Sequence, residues 1–210
     1  MKALLLVSLL SQALPAIQLP RADLHVSAGW QNLRKEQAYV YYDNWLNSIL
    51  YGGAGAGWYW TEHLKTQIDF GAGTRDHQFQ THAFVVDGQT AYTSSRAAIR
   101  ETNVSIGQQY QFFRNQWFHP HLGAGVELAR ETVTEDFQPI YVFDSVTRTS
   151  TFVMPAASDG PEHRFLTRGF AEGGFKAYMT RRAFFTGDMR VMFRGGVDEV
   201  LFRAGLGIDF

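Results

Sequence analysis

The sequence predicts an all-β protein, an eight-stranded antiparallel up-and-down transmembrane β-barrel. Three observations carry this reading. The first is a period-two alternation whose apolar face runs to the last residue. In "VLFRAGLGIDF", Val200, Phe202, Ala204, Leu206, Ile208 and Phe210 share one face, and Leu201, Arg203, Gly205, Gly207 and Asp209 share the other. A period of two is a strand with two distinct faces. A soluble terminal strand ordinarily frays into polar residues, so a face kept apolar to its end belongs in an apolar medium. The second is the alternation of tight and long links between such stretches. The third is composition: 20 glycines and 15% aromatic residues, with no run of about 18 apolar residues beyond the N-terminal stretch to make a spanning helix.

The strands follow in chain order. "ADLHVSAGW" sets Leu24, Val26, Ala28 and Trp30 against Asp23, His25, Ser27 and Gly29. "ILYGGAGAGWYW" sets Leu50, Ala54, Ala56, Trp58 and Trp60 against Tyr51, Gly53, Gly55, Gly57 and Tyr59. "LKTQIDFGAGTR" sets Leu64, Ile68 and Phe70 against Lys65, Gln67 and Asp69. "ETNVSIGQQYQFF" sets Val104, Ile106, Tyr110 and Phe112 against Asn103, Ser105, Gln109 and Gln111. "FHPHLGAGVELAR" sets Phe118, Leu122, Ala124, Val126 and Leu128 against His119, His121 and Glu127. "FLTRGFAEGGFKAYM" carries Arg168, Glu172 and Lys176 on one face, and "FFTGDMRVMFR" opposes Phe185, Met189, Val191 and Phe193 to Asp188, Arg190 and Arg194. The terminal strand is the eighth. The links "TEH", "RNQ" and "TRR" are tight, "GGVDE" is short, and 35–48, 76–97 and 131–163 are long. Short turns at one end and long loops at the other is the pattern of a barrel with its turns in the periplasm and its loops outside. Trp58, Trp60, Tyr110, Phe112 and Phe118 lie beside the tight links, and an even strand number puts Phe210 at the same end, so these six are expected to form a periplasmic aromatic girdle.

"MKALLLVSLLSQALPA" has a basic start, an apolar core and small residues, the three parts of a secretory signal peptide. Residues 1–16 are read as that leader, with cleavage after Ala13 or Ala16, and 17–210 as one barrel domain. The chain has no cysteine, which leaves no disulfide framework. The formal net charge of -1 gives no electrostatic reason to expect a nucleic-acid partner.

The inward face gathers charge: Asp69, Glu101, Glu127, Glu172, Asp188 and Asp209 with Lys65, Arg168, Lys176, Arg190, Arg194 and Arg203. Eight strands enclose a space just wide enough for side chains, so these charges are expected to pair as a packed polar lumen. Glu172 is expected to pair with Arg168, Lys176 or Arg203. A narrow solute path through partner exchange is the functional alternative.

Other motifs carry less. "YGGAGAGWYW" lacks the Gly-Lys-Ser/Thr ending of a phosphate loop, and its glycines read as room for side chains from across the lumen. His119 and His121 share a face at a spacing that could ligate a metal, but no third ligand is evident. No cofactor is expected. Ser158, Glu162 and His163 lie together in the third long segment, the residue types a lipid-modifying enzyme would use. Proximity in a loop does not make a triad, and no catalytic residue is assigned. In that segment, "IYVF" and "TSTFV" flank Asp144-Ser145 and predict a hairpin, so that strands five and six continue past the membrane and join there. Residues 35–48 are also aromatic, and exposed aromatic surface marks binding sites.

The leader, the alternating strands and the terminal "GLGIDF" resemble those of the small eight-stranded outer-membrane barrels of the OmpA/OmpX type. The resemblance covers the whole mature chain. It implies the outer membrane of a diderm, Gram-negative-type envelope, with outer-membrane lipid around the wall. It implies that Leu206, Ile208 and Phe210 are the signal read by the barrel-assembly machinery. A non-enzymatic envelope or adhesion-like role is expected, with a surface ligand or host-cell partner met through the long loops. A lipid A acyl-transfer or deacylation enzyme, or a narrow porin, is the alternative. A soluble lipocalin-like barrel is disfavoured because the charged face alternates with the membrane-like one.

Overall fold

The computed structural model describes residues 21–34, 45–86, 89–112, 117–144 and 147–210. The leader expected at 1–16 and most of the aromatic first segment lie outside the described residues. Eight strands form the wall: β1 Ala22–Arg34, β2 Trp45–Tyr59, β3 Leu64–Gly73, β5 Gln89–Gln111, β6 Phe118–Phe137, β9 Ala157–Tyr178, β10 Ala183–Phe193 and β11 Val197–Asp209. Three more stand outside it: β4 Asp76–Val86, β7 Ile140–Asp144 and β8 Thr149–Met154. The wall is antiparallel throughout, and pairing of β1 with β11 completes the ring. Phe210 is pinned there by its backbone: its N–H donates to Ala22 at 2.9 Å and its carbonyl accepts from Arg21 at 2.8 Å.

Alternation decides which side of the wall each residue takes. Leu24, Val26, Leu206 and Ile208 are at least half exposed, whereas their chain neighbours Asp23, His25 and Asp209 are buried. This is the inverse of a soluble barrel and matches a wall that faces lipid. Two of the tight links share one device. Thr61 Oγ1 accepts the Leu64 N–H at 3.0 Å, and Thr180 Oγ1 accepts the Ala183 N–H at 2.9 Å. A hydroxyl that caps the N–H three residues on closes a turn locally.

The glycines follow from the narrow interior. Gly53 faces Gly71 in register, and the Tyr51 ring lies over both; Gly107 faces Gly125, with the Phe170 ring over that pair. A Cβ on Gly71 would collide with the Tyr51 hydroxyl, and one on Gly125 with the backbone carbonyl of Ile106. Ring over glycine pair is how a large inward side chain finds space beside a neighbouring strand.

The structure corrects the sequence reading in four places. The segment 76–97 is no loop: β4 pairs with the start of β5 from Asp76↔Ile99 to Val86↔Gln89. Asp87-Gly88 between them is the sequence pair that two-residue hairpin links favour. Strands β6 and β9 do continue beyond the ring, to Phe137↔Ala157, but the hairpin beyond is a separate two-stranded sheet of β7 and β8. Asp198 and Glu199, read as part of a link, belong to β11 and are buried. The lumen is also not purely polar. Leu33, Ile49 and Ile99 cluster with Val133, and Tyr51, Phe170, Met192 and Leu201 form a second apolar layer.

Gly125→Val is expected to abolish the compact, fast-migrating band that a folded barrel gives on an unheated gel. Gly52→Val, on the outer face with nothing within 4 Å of the new Cβ, is expected to keep it.

Candidate functional site

The interior is built in tiers that follow the inward positions from the tight-turn end to the long-loop end. Each tier combines register partners on adjacent strands, whose inward side chains lie about 5 Å apart, with long side chains that reach across the lumen, as Arg190 on β10 reaches Asp69 on β3. At the tight-turn end, Lys176 Nζ reaches Asp209 Oδ1 at 2.5 Å, Asp23 Oδ2 at 3.3 Å and the Tyr59 hydroxyl at 2.8 Å. Lys65 Nζ meets the same Asp23 oxygen at 3.2 Å, Tyr59 donates to it at 2.8 Å, and Tyr178 donates to Asp209. The Phe184 ring covers the Lys176 ammonium at 3.7 Å, a cation–π contact strengthened by desolvation.

The middle tier holds two arginines. Arg190 Nη2 lies 2.7 Å from Glu172 Oε2 and 2.6 Å from Asp69 Oδ2, and its Nη1 donates to Ser105 at 2.7 Å. Arg203 Nε donates to Asp188 at 2.8 Å, and its Nη1 lies 3.2 Å from Asp69. His25 Nε2 bonds Asp69 Oδ1 at 3.0 Å. Arg190 with Glu172, and Arg203 with Asp188, are register partners on neighbouring strands. Glu172 pairs with Arg190 and, at 3.6 Å, with Arg203. Neither Arg168 nor Lys176 pairs with it: each stands four residues along the same strand, about 13 Å away.

Arg168 centres the third tier. Its guanidinium lies 2.5 Å from Glu101, 2.8 Å from Glu127 and 2.8 Å from Glu199, with Asp198 at 3.3 Å. Gln31 donates to Glu101 at 3.1 Å and to Glu199 at 2.9 Å. Oxygens of Glu101, Glu127 and Glu199 lie within 4.8 Å of one another. That spacing suits a cation, and the cation the chain supplies there is Arg168. The Tyr51, Phe170, Met192 and Leu201 layer separates this tier from the middle one, and the Arg190 guanidinium rests 4.1 Å from the Phe170 ring centre.

The inward set named from sequence thus falls into these three tiers, except Arg194. That arginine sits in the turn after β10 with its side chain 45% exposed and meets Asp198 at 3.4 Å. β10 ends at Phe193, and the bulge there puts the extra residue, Asp198, into β11. Sequence reasoning gave no role to Asp23, His25, Gln31, Asp198 or Glu199. For four of them the signal was the parity of an inward face already recognised; Asp198 had none. His121 is buried, and the gap it shares with His25, Gln109 and Lys176 has a volume of about 10 Å³, room for one water. His119 instead packs its ring 5.2 Å from Tyr178, so the two histidines do not converge.

On the outer face, Trp58, Trp60, Tyr110, Phe112, Phe118 and Phe210 are exposed rings at the tight-turn end, and Leu206 and Ile208 continue the row above Phe210. At the other end β9 is exposed from Ala157 to Phe165. Ser158 donates to Asp136 at 2.7 Å, His163 bonds Thr132 at 3.2 Å, and Glu162 pairs with Arg164 at 3.0 Å. Ser158 and His163 are five residues apart on one strand, about 16 Å, and form no triad. The β7–β8 hairpin carries Tyr141 and Phe152, directly opposed and exposed, with ring centroids 5.7 Å apart.

No protein-family model matches the chain, and no curated protein sequence matches it. Solved structures do. Neisserial surface protein A is similar over 90% of this chain and 97% of its own, with a TM-score of 0.56 and 12% identity. Outer membrane protein OprG of Pseudomonas aeruginosa is similar over 92% and 98%, with a TM-score of 0.53 and 12% identity. Ail, the attachment invasion locus protein of Yersinia pestis, is similar over 90% and 99%, with a TM-score of 0.50 and 12% identity. The fold is that of the small eight-stranded outer-membrane barrels.

Glu172→Gln removes half of a buried charge pair and leaves Arg190 under-compensated. It is expected to destabilise the barrel by about 3 kcal/mol, read from urea unfolding in lipid vesicles.

Proposed function

We propose that this protein is a non-enzymatic outer-membrane surface protein. Its filled lumen is the scaffold and the sheet beyond the ring is the binding surface. The observation that carries this reading is strand length. β9 runs 22 residues and β5 runs 23, whereas about 9–11 cross a bilayer. The excess forms a standing sheet of β4, β5, β6 and β9 at the long-loop end. Pairing of β9 with β10 stops at Gly169↔Phe193, while its pairing with β6 runs on to Ala157. Among the described residues the other edge of β9 is therefore open from Ala157 to Arg168, and an open edge is where a partner strand can add. Asp159, Pro161, Glu162 and Arg164 guard that edge against self-association.

The aromatic pair on the β7–β8 hairpin supplies apolar contact area at the far tip. Orientation follows from the links: tight turns in the periplasm, standing sheet outside. The exposed rings from Trp58 to Phe210 then lie at the periplasmic interface. Leu206, Ile208 and Phe210 are the assembly signal on this reading, and residues 1–16 the export leader. Two of the similar structures, a surface protein and an attachment invasion locus protein by name, agree with a surface role. Against catalysis stand the separate partners of Ser158 and His163.

Phe137 and Ala157 are register partners, so 138–156 can be replaced by a two-residue Asn-Gly turn without disturbing the sheet. The shortened protein is expected to fold and reach the outer membrane but to lose at least tenfold in cell-surface binding, measured as adhesion of expressing bacteria to cultured cells. Equal adhesion by the two forms would refute the assignment of binding to the hairpin.

A further inference from the structure

The outside of the wall carries a groove of about 610 Å³ where β2, β3 and β5 meet, lined by Leu50, Gly52, Ala72, Thr74, Arg75 and Arg100. Register explains it. Gly52 and Ala72 face each other across β2 and β3, and Ala72 faces Thr102 on β5. The next outward positions towards the tight turns are Ala54, Phe70 and Val104, with Phe70 58% exposed as a wall. Leu50, 57% exposed, forms the other wall. Thr74 fixes the mouth: its Oγ1 accepts the Leu50 N–H at 3.0 Å and its own N–H donates to the Leu50 carbonyl at 2.7 Å. That lock sets the position of Arg75 beside Arg100.

The chemistry of the groove changes along its length. Its floor is apolar and small, and its mouth is lined by two exposed arginines, Arg75 and Arg100, that form no ion pair among the described residues. The stretch from Tyr110 to Arg100 covers about 33 Å of strand. At the tilt of such barrels it rises about 25 Å, the height of the apolar band. Arg100 therefore stands at the far boundary of that band, where headgroups meet acyl chains. A groove facing a bilayer is filled by lipid. Two unpaired cations at its polar end select for an anionic headgroup, and arginine forks match phosphate.

We propose that this groove is a site for one phosphorylated, acylated lipid of the outer leaflet. Arg75 and Arg100 hold its phosphate, and one acyl chain lies on Gly52 and Ala72 between Leu50 and Phe70. The inference rests on the orientation proposed above and is independent of the adhesion role.

The test is native mass spectrometry of the detergent-purified barrel, first verified as folded by its mobility on an unheated gel. The probes are bisphosphorylated lipid A, the same lipid dephosphorylated, and inorganic phosphate. Wild type is expected to retain one bisphosphorylated lipid A with at least a tenfold preference over the dephosphorylated form, and no inorganic phosphate. The Arg75→Ala/Arg100→Ala variant is expected to lose that preference. Gly52→Leu fills open space, so it is expected to remain folded and to weaken retention of lipid A at least fivefold. Equal retention of the two lipids by wild type, an unchanged preference in the arginine variant, or phosphate retained as well as lipid would each overturn the proposal. A chain that never gives the folded band would instead count against the barrel reading.

Discussion

Closing eight strands into one ring leaves an interior no wider than the side chains that line it, and the rest of this molecule follows from that limit. A charge placed there loses its water and needs partners within reach. The partners come from the same height, some on neighbouring strands, as Arg190 meets Glu172 and Arg203 meets Asp188, and some across the lumen, as Arg190 meets Asp69. A ring placed there needs a strand without Cβ atoms beside it, as Tyr51 has in Gly53 and Gly71. Ion pairs and glycine pairs are two answers to one problem of space.

The same closure divides the chemistry of the two faces. With no free edge within the ring, the backbone is satisfied and the wall can sit in hydrocarbon. The outer face then needs only apolar side chains. Beyond the ring, β5, β6 and β9 outrun the bilayer and an edge reappears on β9. Backbone hydrogen-bonding capacity is thus sealed within the ring and, among the described residues, left open on β9 beyond it.

Much of the fold was legible because alternation fixes a side for every residue. Leu201 inward and Phe202 outward needed no tertiary information. The register between strands was not legible, since it is set by how the ring closes. That is why the sequence offers Glu172 Arg168 and Lys176 on its own strand as readily as Arg203 on β11, which does pair with it, and does not single out Arg190 on β10. Asp198 and Glu199 were missed because a link was allowed to extend into a strand. Arg194 reads as inward only when parity is carried past Phe193, where β10 ends. The β4 strand was passed over although its Asp-Gly turn sequence was in view.

The central claim is that the three charged tiers and the two apolar layers fill the ring. Single-channel recording of the wild-type protein in planar lipid bilayers tests it most directly. A filled lumen predicts insertion without steady current at 100 mV in 1 M KCl. A stable, well-resolved conductance step on insertion would contradict it and make the lumen a path.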